Sequence, residues 1–340
     1  MSNTFIPFLQ AVGRGERLKR DLTFNEAVDC MRQMLGRSAS DVQIGALLLT
    51  QRVKGESVSE IDGFTQVIRD EFMTCIQPTV ENLLDIACPY NGKTKTAQLS
   101  PVVALTLLAA GVPVVLHGGE GVPTKTGVTP GAVLRGLGIA ADLEPASVKN
   151  MIEQIGFGFL DIAQFAPSWH AFSQVRQQFG LRTVCNTIEK FFNPADAPFQ
   201  ISGFFHVNYI ERIRASQTGT RNSWMIQGEE GSIETASGRR TRIFGTTASD
   251  DLTLAPADVG LAERERIIVA ADVEQHVAIN RSVIAGVNGP AADQVALTAG
   301  TILHLLGSES SVSNGYAKTQ QLLHDKQVAA AFSKVAAFKN

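Results

Sequence analysis

Apolar positions in the first eighty residues recur at the spacing of amphipathic helices. The first predicted helix follows a capping-box pattern of Thr23 and Glu26, carries its apolar residues on one face and stops at Gly36. A second helix, capped by Asp41, is predicted to close near 52–55, and a third spans 59–72. Antiparallel helices joined by short loops form a small bundle, so the pattern predicts a helical domain that ends near residue 78.

After residue 80 the pattern changes to short apolar runs that alternate with helical stretches. Strands are predicted at 82–87, 112–116, 156–161, 224–226 and 242–244, and helices at 100–110 and 131–137. Residues 168–192 are again helical and are expected to pack back on the N-terminal bundle, while the last sixty residues are Ala-rich and helical. Alternating strands and helices predict a mainly parallel central sheet covered by helices, which makes the fold class α/β.

Composition supports a globular protein of about two domains. The chain has 340 residues, of which 44% are hydrophobic and 19% charged, so a wholly disordered chain is excluded. Its net charge of −3 excludes a histone-like polycation but is compatible with a local basic face. The four cysteines lie far apart without a CxxC pair, which favours reduced thiols, and no signal peptide or membrane-length apolar stretch is expected. We therefore expect a cytoplasmic protein with no membrane segment.

The segment 85–94 nearly matches the phosphate-binding pattern GxxxxGK[ST]. Gly92, Lys93 and Thr94 fit, whereas Ala87 stands where the pattern has glycine, so a lysine-bearing surface turn is the alternative. Downstream, Ser100 followed by proline predicts the capped start of a helix, whose exposed N–H groups suit an anion. A strand, a glycine turn and a capped helix together predict a phosphate site. Its candidate residues are Asn91, Gly92, Lys93, Lys95 and Ser100.

A second glycine-rich segment follows the strand predicted at 112–116. Glycines at the carboxyl end of a strand allow a ligand to approach the backbone, and open α/β sheets bind ligands at that edge. The candidates here are His117 and Gly118, with a lysine nearby at Lys125, although a plain turn histidine is the alternative for His117.

Standard catalytic signatures are missing from the sequence, including GxSxG, HExxH, a complete GxGxxG and paired Cys/His clusters. Glu229, Glu230 and Glu234 lie among glycines and are candidates for binding Mg²⁺, with a solvated turn as the alternative. Basic residues are grouped, and a polyanion is a candidate partner if the groups converge in space. The three groups are Arg14, Arg17, Lys19 and Arg20; Arg212, Arg214 and Arg221; and Arg239, Arg240 and Arg242.

Several short motifs keep an order and spacing that point to one family. They are Leu22-Thr23-x-x-Glu26-Ala27, Arg52-x-Lys54-Gly55-Glu56, the segment 109–114 followed by His117-Gly118, Phe165-Ala166-Pro167-x-x-His170, Arg182-Thr183-x-x-Asn186 and Asn193-Pro194. Through about residue 235 the chain resembles anthranilate phosphoribosyltransferase, an enzyme of the nucleoside-phosphorylase-like class. The resemblance implies a helical domain of residues 1–78 with 172–192 and an α/β domain of 79–171 with 193–340. It also implies a homodimer formed through the helical part.

The family moves a phosphoribosyl group from phosphoribosyl pyrophosphate to anthranilate in tryptophan biosynthesis. The resemblance therefore implies Mg²⁺ as a cofactor of any remaining transfer, with Ser100 and Glu234 as its ligands. It further implies that Lys125 and Thr126 face the phosphate ligand. The acceptor, or a polyanion in its place, is expected to contact His170, Arg176 and Arg182.

The departures from the family fall on its functional residues. The glycine loop that wraps the pyrophosphate is replaced by 87–92, where Pro89 and Tyr90 should fill or stiffen the cradle. Leu116 replaces a lysine, and Ile233 replaces one carboxylate of the magnesium pair. Phosphoribosyl transfer needs a neutralised and firmly held leaving group, so these losses oppose it. The Tyr-Asn-Gly form of the loop resembles a divergent second branch, whose homodimers are associated with nucleic-acid binding.

Three functions remain open from the sequence. The first is a catalytically divergent protein that binds nucleic acid without sequence preference, through lysines and arginines around the cleft. The second is a working phosphoribosyltransferase that acts on anthranilate or a related aromatic acceptor, and the third is a regulator that binds a small phosphorylated ligand. A homodimer is expected as well, because the apolar stripes at Ile44, Leu47, Leu48 and Phe64 exceed what three helices cover.

Overall fold

The N-terminal helices begin at caps that the sequence encodes locally. The computed structural model describes residues 4–88, 91–121, 124–206, 209–216, 222–263 and 272–339. Its first helices are α1 (Ile6–Gly13), α2 (Gly15–Leu18), α3 (Phe24–Leu35), α4 (Asp41–Lys54) and α5 (Val58–Glu71). A complete capping box starts α3, α4 and α5, which confirms the three predicted helices. The cap of α4 is Ser40 rather than Asp41, because the Ser40 side chain accepts the Gln43 N–H.

A mainly parallel sheet forms the centre of the rest of the chain. Its strands are β1 (Leu84–Cys88), β2 (Val114–Gly118), β3 (Phe157–Asp161), β4 (Phe199–Gly203), β5 (Asn222–Ile226), β6 (Thr241–Phe244) and β7 (Leu252–Leu254). Their order is β3-β2-β1-β4-β5-β6-β7, with parallel pairing from β3 to β5 and antiparallel pairing of β6 with both β5 and β7. The chain runs outward from β1 to β3 and then returns to β4 on the other side of β1. Ligands of open α/β sheets bind outside such a switch point.

Helices cover both faces of this sheet. They are α6 (Ser100–Ala109), α7 (Pro130–Leu137), α8 (Pro145–Ile155), α9 (Ile162–Phe165), α10 (Pro167–Phe179), α11 (Cys185–Ile188), α12 (Ile210–Ala215), α13 (Val273–Ile284), α14 (Pro290–Leu305), α15 (Val312–His324) and α16 (Gln327–Ala336). The predicted fold class is confirmed, including the helical C-terminal region. The strands β4 and β7 were not predicted, because each is a short run without clear alternation. Within the described residues, no helix has the length and apolar character that crossing a bilayer requires.

Two hydrophobic clusters hold the chain together. One fills the space between the sheet and the helices α6, α13, α14 and α16. The other joins the N-terminal helices to Trp169 and Phe172 of α10, and it continues to Val115 and Leu160 on the facing side of the sheet. The segment 168–192 thus shares a core with the N-terminal bundle, as expected, and the same core includes residues of the sheet. The division into residues 1–78 with 172–192 and 79–171 with 193–340 stays a prediction.

Candidate ligand-binding site

The turn after β1 is joined to the loop after β2 by backbone hydrogen bonds. The N–H of Lys93 donates to the Val128 carbonyl, the Val128 N–H donates back, and the Gly127 N–H donates to Asn91, each at 2.9 Å. Gly92 has φ 72°, and a Cβ there would lie 2.3 Å from the Gly127 backbone. Gly92 is therefore required by the contact between the two segments, whereas the sequence had assigned it to the approach of a phosphate.

The next residues of that turn form an anion-binding nest that the chain fills itself. The N–H groups of Thr94, Lys95 and Thr96 donate to the carboxylate of Glu230 at 3.1, 2.9 and 2.8 Å, and both threonine hydroxyls donate to it as well. Burial alone would raise the pKa of Glu230, but these hydrogen bonds lower it below its ordinary value. Glu230 has φ 52°, an unusual value for a residue other than glycine. It is thus an anchor of the turn and not the solvated or metal-binding residue that the sequence suggested.

The side chain of Lys93 lies inside the protein and not in the cleft. It is 1% exposed, and its Nζ is 2.9 Å from Glu234 Oε2 and 3.0 Å from the Ala97 carbonyl oxygen. Glu234 also accepts the Ser100 hydroxyl at 2.8 Å, the Leu99 N–H at 3.0 Å and the Ser232 hydroxyl. The expectation that Lys93 faces a phosphate is corrected, because its charge is already matched by a buried carboxylate.

The N-terminus of α6 is also occupied by a group of the chain itself, the carboxylate of Glu234. Ser100 is the first helical residue rather than the cap, and the cap position is Leu99. Burial would raise the pKa of Glu234, but the charge of Lys93 and the donated hydrogen bonds lower it, so the carboxylate is ionised. This internal anion fills the helix N-terminus that was expected to receive a ligand phosphate.

The residues implied as magnesium ligands come together but do not suit a divalent cation. Mg²⁺ keeps several waters and is usually held by one or two carboxylates, and here Ser100 and Glu234 supply one hydroxyl and one carboxylate that already bond each other. The second carboxylate of the family is Ile233, which is buried in the hydrophobic cluster of the sheet. The ammonium of Lys93 contacts the single carboxylate. Among the described residues no group of three or more His, Cys, Asp and Glu side chains has the arrangement of a metal site.

His117 and Gly118 lie inside the sheet and line neither of the two cavities described below. Gly118 pairs with Cys88 in β1 and with Asp161 in β3. The His117 ring is fully buried, with Nδ1 2.7 Å from Asp85 and Nε2 3.3 Å from the Glu189 carbonyl oxygen. The structure therefore corrects their assignment as ligand contacts, because both are used within the core.

Arg176 is also used internally. It is buried, forms an ion pair with Glu189 and stacks over the Trp169 ring at 5.4 Å. Burial raises the pKa of Glu189 to about 7 in spite of the arginine beside it. The predicted contact of Arg176 with an acceptor is corrected, since its partner Glu189 fills the position in front of it. His170, by contrast, is exposed on α10 and lines neither of the cavities described next.

A cavity of about 350 Å³ lies at the switch point between β1 and β4. Its cations are Arg52 from α4, Arg182 and Lys190, and its acids are Glu56 and Glu230. The remaining lining residues are mostly polar or aromatic: Asn91, Thr183, Asn186, Thr187, Phe191, Ser202, Phe204, Phe205, His206, Tyr209, Ile213, Met225 and Gly231. The cavity therefore combines positive charge with aromatic surface.

Lys190 is the most perturbed cation of this cavity. Its ammonium donates to the Gly203 carbonyl at the end of β4. Burial, together with the positive charge of Arg182, lowers the pKa of Lys190 to about 8. The sequence gave no local signal for this residue or for Phe205, because their shared position depends on how α4 and the segment after α11 meet the sheet.

A second cavity of about 300 Å³ lies on the other side of Asn91, which lines both. Lys125, Thr126 and Glu120 line it, and the side chains of Lys125 and Thr126 are exposed. Lys95 is exposed on the adjoining turn. Of the predicted phosphate contacts, Asn91, Lys95, Lys125 and Thr126 are thus at the surface of this region or line its cavities, and Arg182 belongs to the first cavity.

Three of the ten basic residues singled out in the sequence, Lys19, Arg20 and Arg214, form ion pairs with acidic neighbours. Arg20 pairs with Glu26 at 2.6 Å and Lys19 with Glu16 at 2.8 Å. Arg214 pairs with Asp251, and Arg221 lies outside the described residues. None of the described members of these groups lines either cavity, so the candidate charges for a polyanion in the cleft are those of the cavity residues themselves.

Comparison with known proteins identifies similarity over nearly the whole chain. The helical bundle domain of a glycosyl transferase family matches residues 6–72, and the a/b domain of that family matches residues 83–328. The anthranilate phosphoribosyltransferase of Stenotrophomonas maltophilia is 30% identical over 306 residues, which cover 88% of this chain and 89% of that protein. The corresponding protein of Methanopyrus kandleri is 29% identical over 338 residues, covering 96% of this chain and 98% of that protein.

Solved structures agree with the sequence relatives. Anthranilate phosphoribosyltransferase from Thermus thermophilus has a TM-score of 0.84 and 27% identity, with 97% of this chain and 98% of that chain covered. The Saccharomyces cerevisiae structure in complex with PRPP and Mg has a TM-score of 0.87 at 15% identity, with 99% of both chains covered. At that identity the second likeness concerns the fold alone.

Proposed function

This chain belongs to the anthranilate phosphoribosyltransferase family, and from that premise we propose that it binds nucleic acid in its cleft without sequence preference. The observation that carries the proposal is the cavity at the β1–β4 switch point, where Arg52, Arg182 and Lys190 lie beside aromatic side chains, of which Phe205 is exposed. Nucleic acids present phosphates to such cations and bases to such rings. A cytoplasmic location is part of the proposal.

The charge around this cavity favours an anion. Among the described residues, no carboxylate lies within ion-pair distance of Arg52 or Arg182. Burial raises the pKa of Glu56 above its ordinary value. Glu230 is committed to the turn of residues 94–96 by five hydrogen bonds. Three cations therefore stand against two acids in the lining of this cavity.

The aromatic side chains of the cavity add base stacking to the phosphate contacts that the sequence predicts. Phe205 is 52% exposed at the cavity, and Tyr209 carries the guanidinium of Arg212 over its ring at 5.6 Å. Stacking of bases on such rings is tolerant of sequence, because every base has a π-face. Stacking thus joins phosphate contacts in the proposed mode, and neither contribution selects a base.

The alternative function is phosphoribosyl transfer, which the family membership and the contact of Ser100 with Glu234 favour. The groups needed for it are engaged with the chain itself, since Lys93 holds Glu234 and Glu189 holds Arg176. We expect transfer from phosphoribosyl pyrophosphate to anthranilate to be absent or about a thousandfold weaker than in an active enzyme. A fluorescence assay of anthranilate with Mg²⁺ measures this directly. Turnover near ~1 s⁻¹ would replace the nucleic-acid proposal by the alternative.

Mobility shifts with a single-stranded oligonucleotide test the proposal. Affinity should fall with salt at a log–log slope of about −0.7 per phosphate neutralised. The double variant Arg52→Ala/Arg182→Ala should bind at least about tenfold more weakly and flatten the slope by roughly 1.4. Lys334→Ala/Lys339→Ala is the matched control, because both lysines are exposed and line neither cavity.

A second double variant, Lys95→Ala/Lys125→Ala, tests the other cavity. Lys93 is left intact, because its removal would unpair a buried carboxylate. If binding depends both on Arg52 with Arg182 and on Lys95 with Lys125, the nucleic acid spans the two cavities through the region of Asn91. No shift at low salt, or a shift that none of these variants changes, would rule out the cleft as the site.

We also propose a homodimer through the helical region. The sequence suggested four apolar residues for its interface: Ile44, Leu47, Leu48 and Phe64. All four are buried within one chain, so the expectation that they form the interface is corrected. The exposed apolar residues of α4 are Val42, Leu49 and Val53, at 82%, 46% and 79% exposure. They lie on one face at helical spacing, and an apolar face of this kind is typical of an interface.

A further inference from the structure

The contact of Lys93 with Glu234 has the form of a bound-cation site. Two oxygen ligands, Glu234 Oε2 and the Ala97 carbonyl, lie 2.9 and 3.0 Å from the ammonium nitrogen. The lysine is 1% exposed and Glu234 is fully buried, so water does not share the charge. A buried carboxylate of this kind needs a cation, and here the cation is covalently part of the chain.

We infer that the Lys93 ammonium is the resident cation of the Ser100–Glu234 site and that it excludes divalent metal ions from it. In the family that the chain resembles, the equivalent serine and a pair of carboxylates are implied to hold magnesium. Here one carboxylate position is Ile233, and the remaining carboxylate already accepts from Lys93, Ser100, Ser232 and Leu99. A divalent ion would have to displace these donors and sit next to a fixed positive charge.

The backbone keeps Lys93 in this position. The reciprocal hydrogen bonds of Lys93 with Val128 place its side chain on the inner side of the turn. Gly92 and Gly127 pack so closely that a Cβ on Gly92 would lie 2.3 Å from the Gly127 backbone. The ammonium is therefore not an adaptable surface charge that a metal ion can push aside. Any anion bound in the neighbouring cavities is expected to bind without a metal at this site.

Manganese binding measured by electron paramagnetic resonance tests the inference, with Mn²⁺ as the probe. The wild-type chain should bind no Mn²⁺ at this site at millimolar metal. The variant Lys93→Ala/Ile233→Asp removes the ammonium and restores a second carboxylate, and it should bind one Mn²⁺ at least about tenfold more tightly than the wild-type chain. Its melting temperature should rise when Mn²⁺ is added. The matched control Ile233→Asp keeps Lys93 and should gain no manganese site.

Two outcomes would overturn the inference. One is Mn²⁺ bound by the wild-type chain and weakened at least about tenfold by Ser100→Ala, because the site would then accept a metal beside Lys93. The other is a double variant that retains native circular dichroism and binds no Mn²⁺, because the position would then not be that of a cation. If the double variant does not fold, the wild-type and Ser100→Ala titrations decide the question.

Discussion

Buried charges in this protein are matched by other charges or donors of the same chain. Lys93 pairs with Glu234 and Arg176 with Glu189, and Asp85 accepts from His117 and from Gln200 at 2.7 Å. An ion that leaves water needs such compensation, which explains why these side chains do not serve a ligand. The side chains that remain for a ligand lie at the cavity rims, where water still solvates part of each charge.

Lys190 should make nucleic-acid binding depend on pH. Its pKa of about 8 lies below the ordinary lysine value, so the ammonium is present below pH 7 and is lost as the pH rises through 8. We expect oligonucleotide affinity to fall roughly tenfold between pH 7 and pH 9, the size of one charge-assisted contact. Fluorescence anisotropy at constant ionic strength measures this. Lys190→Arg stays charged and should give a flat profile, and an equally steep fall in that variant would contradict the assignment.

Glu230 should stabilise the turn that carries Lys95. Glu230→Gln keeps the side-chain volume but removes the charge that accepts three backbone N–H groups. We expect it to lower the free energy of unfolding by about 2 kcal/mol. Because the pKa of Glu230 is lowered in the folded chain, this stabilisation is present above pH 4.5 and is lost as the pH falls through that lower value. Urea denaturation at neutral pH measures the loss.

The control for that experiment is Glu81→Gln, which changes an exposed glutamate. A surface change of this kind should alter the free energy of unfolding by less than about 0.5 kcal/mol. If Glu230→Gln has no larger effect than the control, the hydrogen bonds of Glu230 do not hold the turn.

At the scale of an element, the two faces of α4 differ: one packs in the helical core, and the other forms the proposed dimer interface. Its buried face, with Ile44, Leu47 and Leu48, belongs to the helical core, while Arg52 at its end lines the larger cavity. The opposite face carries the exposed residues Val42, Leu49 and Val53. One helix thus links the proposed interface to the ligand cavity.

The α4 face can be tested by sedimentation. The wild-type chain should sediment as a dimer of two 36.5 kDa chains at micromolar concentration. Leu49→Asp/Val53→Asp should give the 36.5 kDa monomer, because burying two carboxylates at an interface is costly. Ala146→Asp/Asn150→Asp adds the same charge at exposed positions of α8 with the same spacing and should remain dimeric. A wild-type monomer would exclude the dimer altogether.

At the scale of the whole molecule, the helical core is continuous with one face of the sheet. Val115 of β2 and Leu160 of β3 belong to the same cluster as Phe64 and Trp169. Elements that share a core lose its packing together, so we expect the two domains to unfold in one transition.

Two tryptophans report on the two regions separately. Trp169 lies in the helical core, and Trp224 of β5 stacks on Phe199 with ring centroids 6.5 Å apart. The variants Trp224→Phe and Trp169→Phe each keep one tryptophan. In each variant we expect the urea midpoint measured by tryptophan fluorescence to agree within about 0.5 M with the midpoint measured by circular dichroism. A fluorescence midpoint that differs clearly from the circular-dichroism midpoint of the same variant would show that the two regions unfold independently.

Local patterns predicted much of the fold. The capping box of Thr23 and Glu26, the stop at Gly36 and the runs at β1, β2 and β3 all depend on residues within a few positions of one another. The site was harder to predict. Asn91, Lys95 and Lys125 were predicted from glycine-rich turns and Thr126 from the family resemblance, and all four stay predictions. Lys190 and Phe205 of the larger cavity were not predicted, because neither stands in a recognisable motif.

The sequence by itself determined where the helices and strands begin, which family the chain resembles and which family residues it lacks. Only the tertiary structure decided which charged residues are available to a ligand. Lys93 and Glu234 both looked available in the sequence, and Glu230 meets its donors in the turn from up to 136 residues away. A helix cap is set by neighbours along the chain, whereas the role of a charge is set by its partner in space. That partner is fixed only when the sheet places the ends of β1 and β5 on either side of β4.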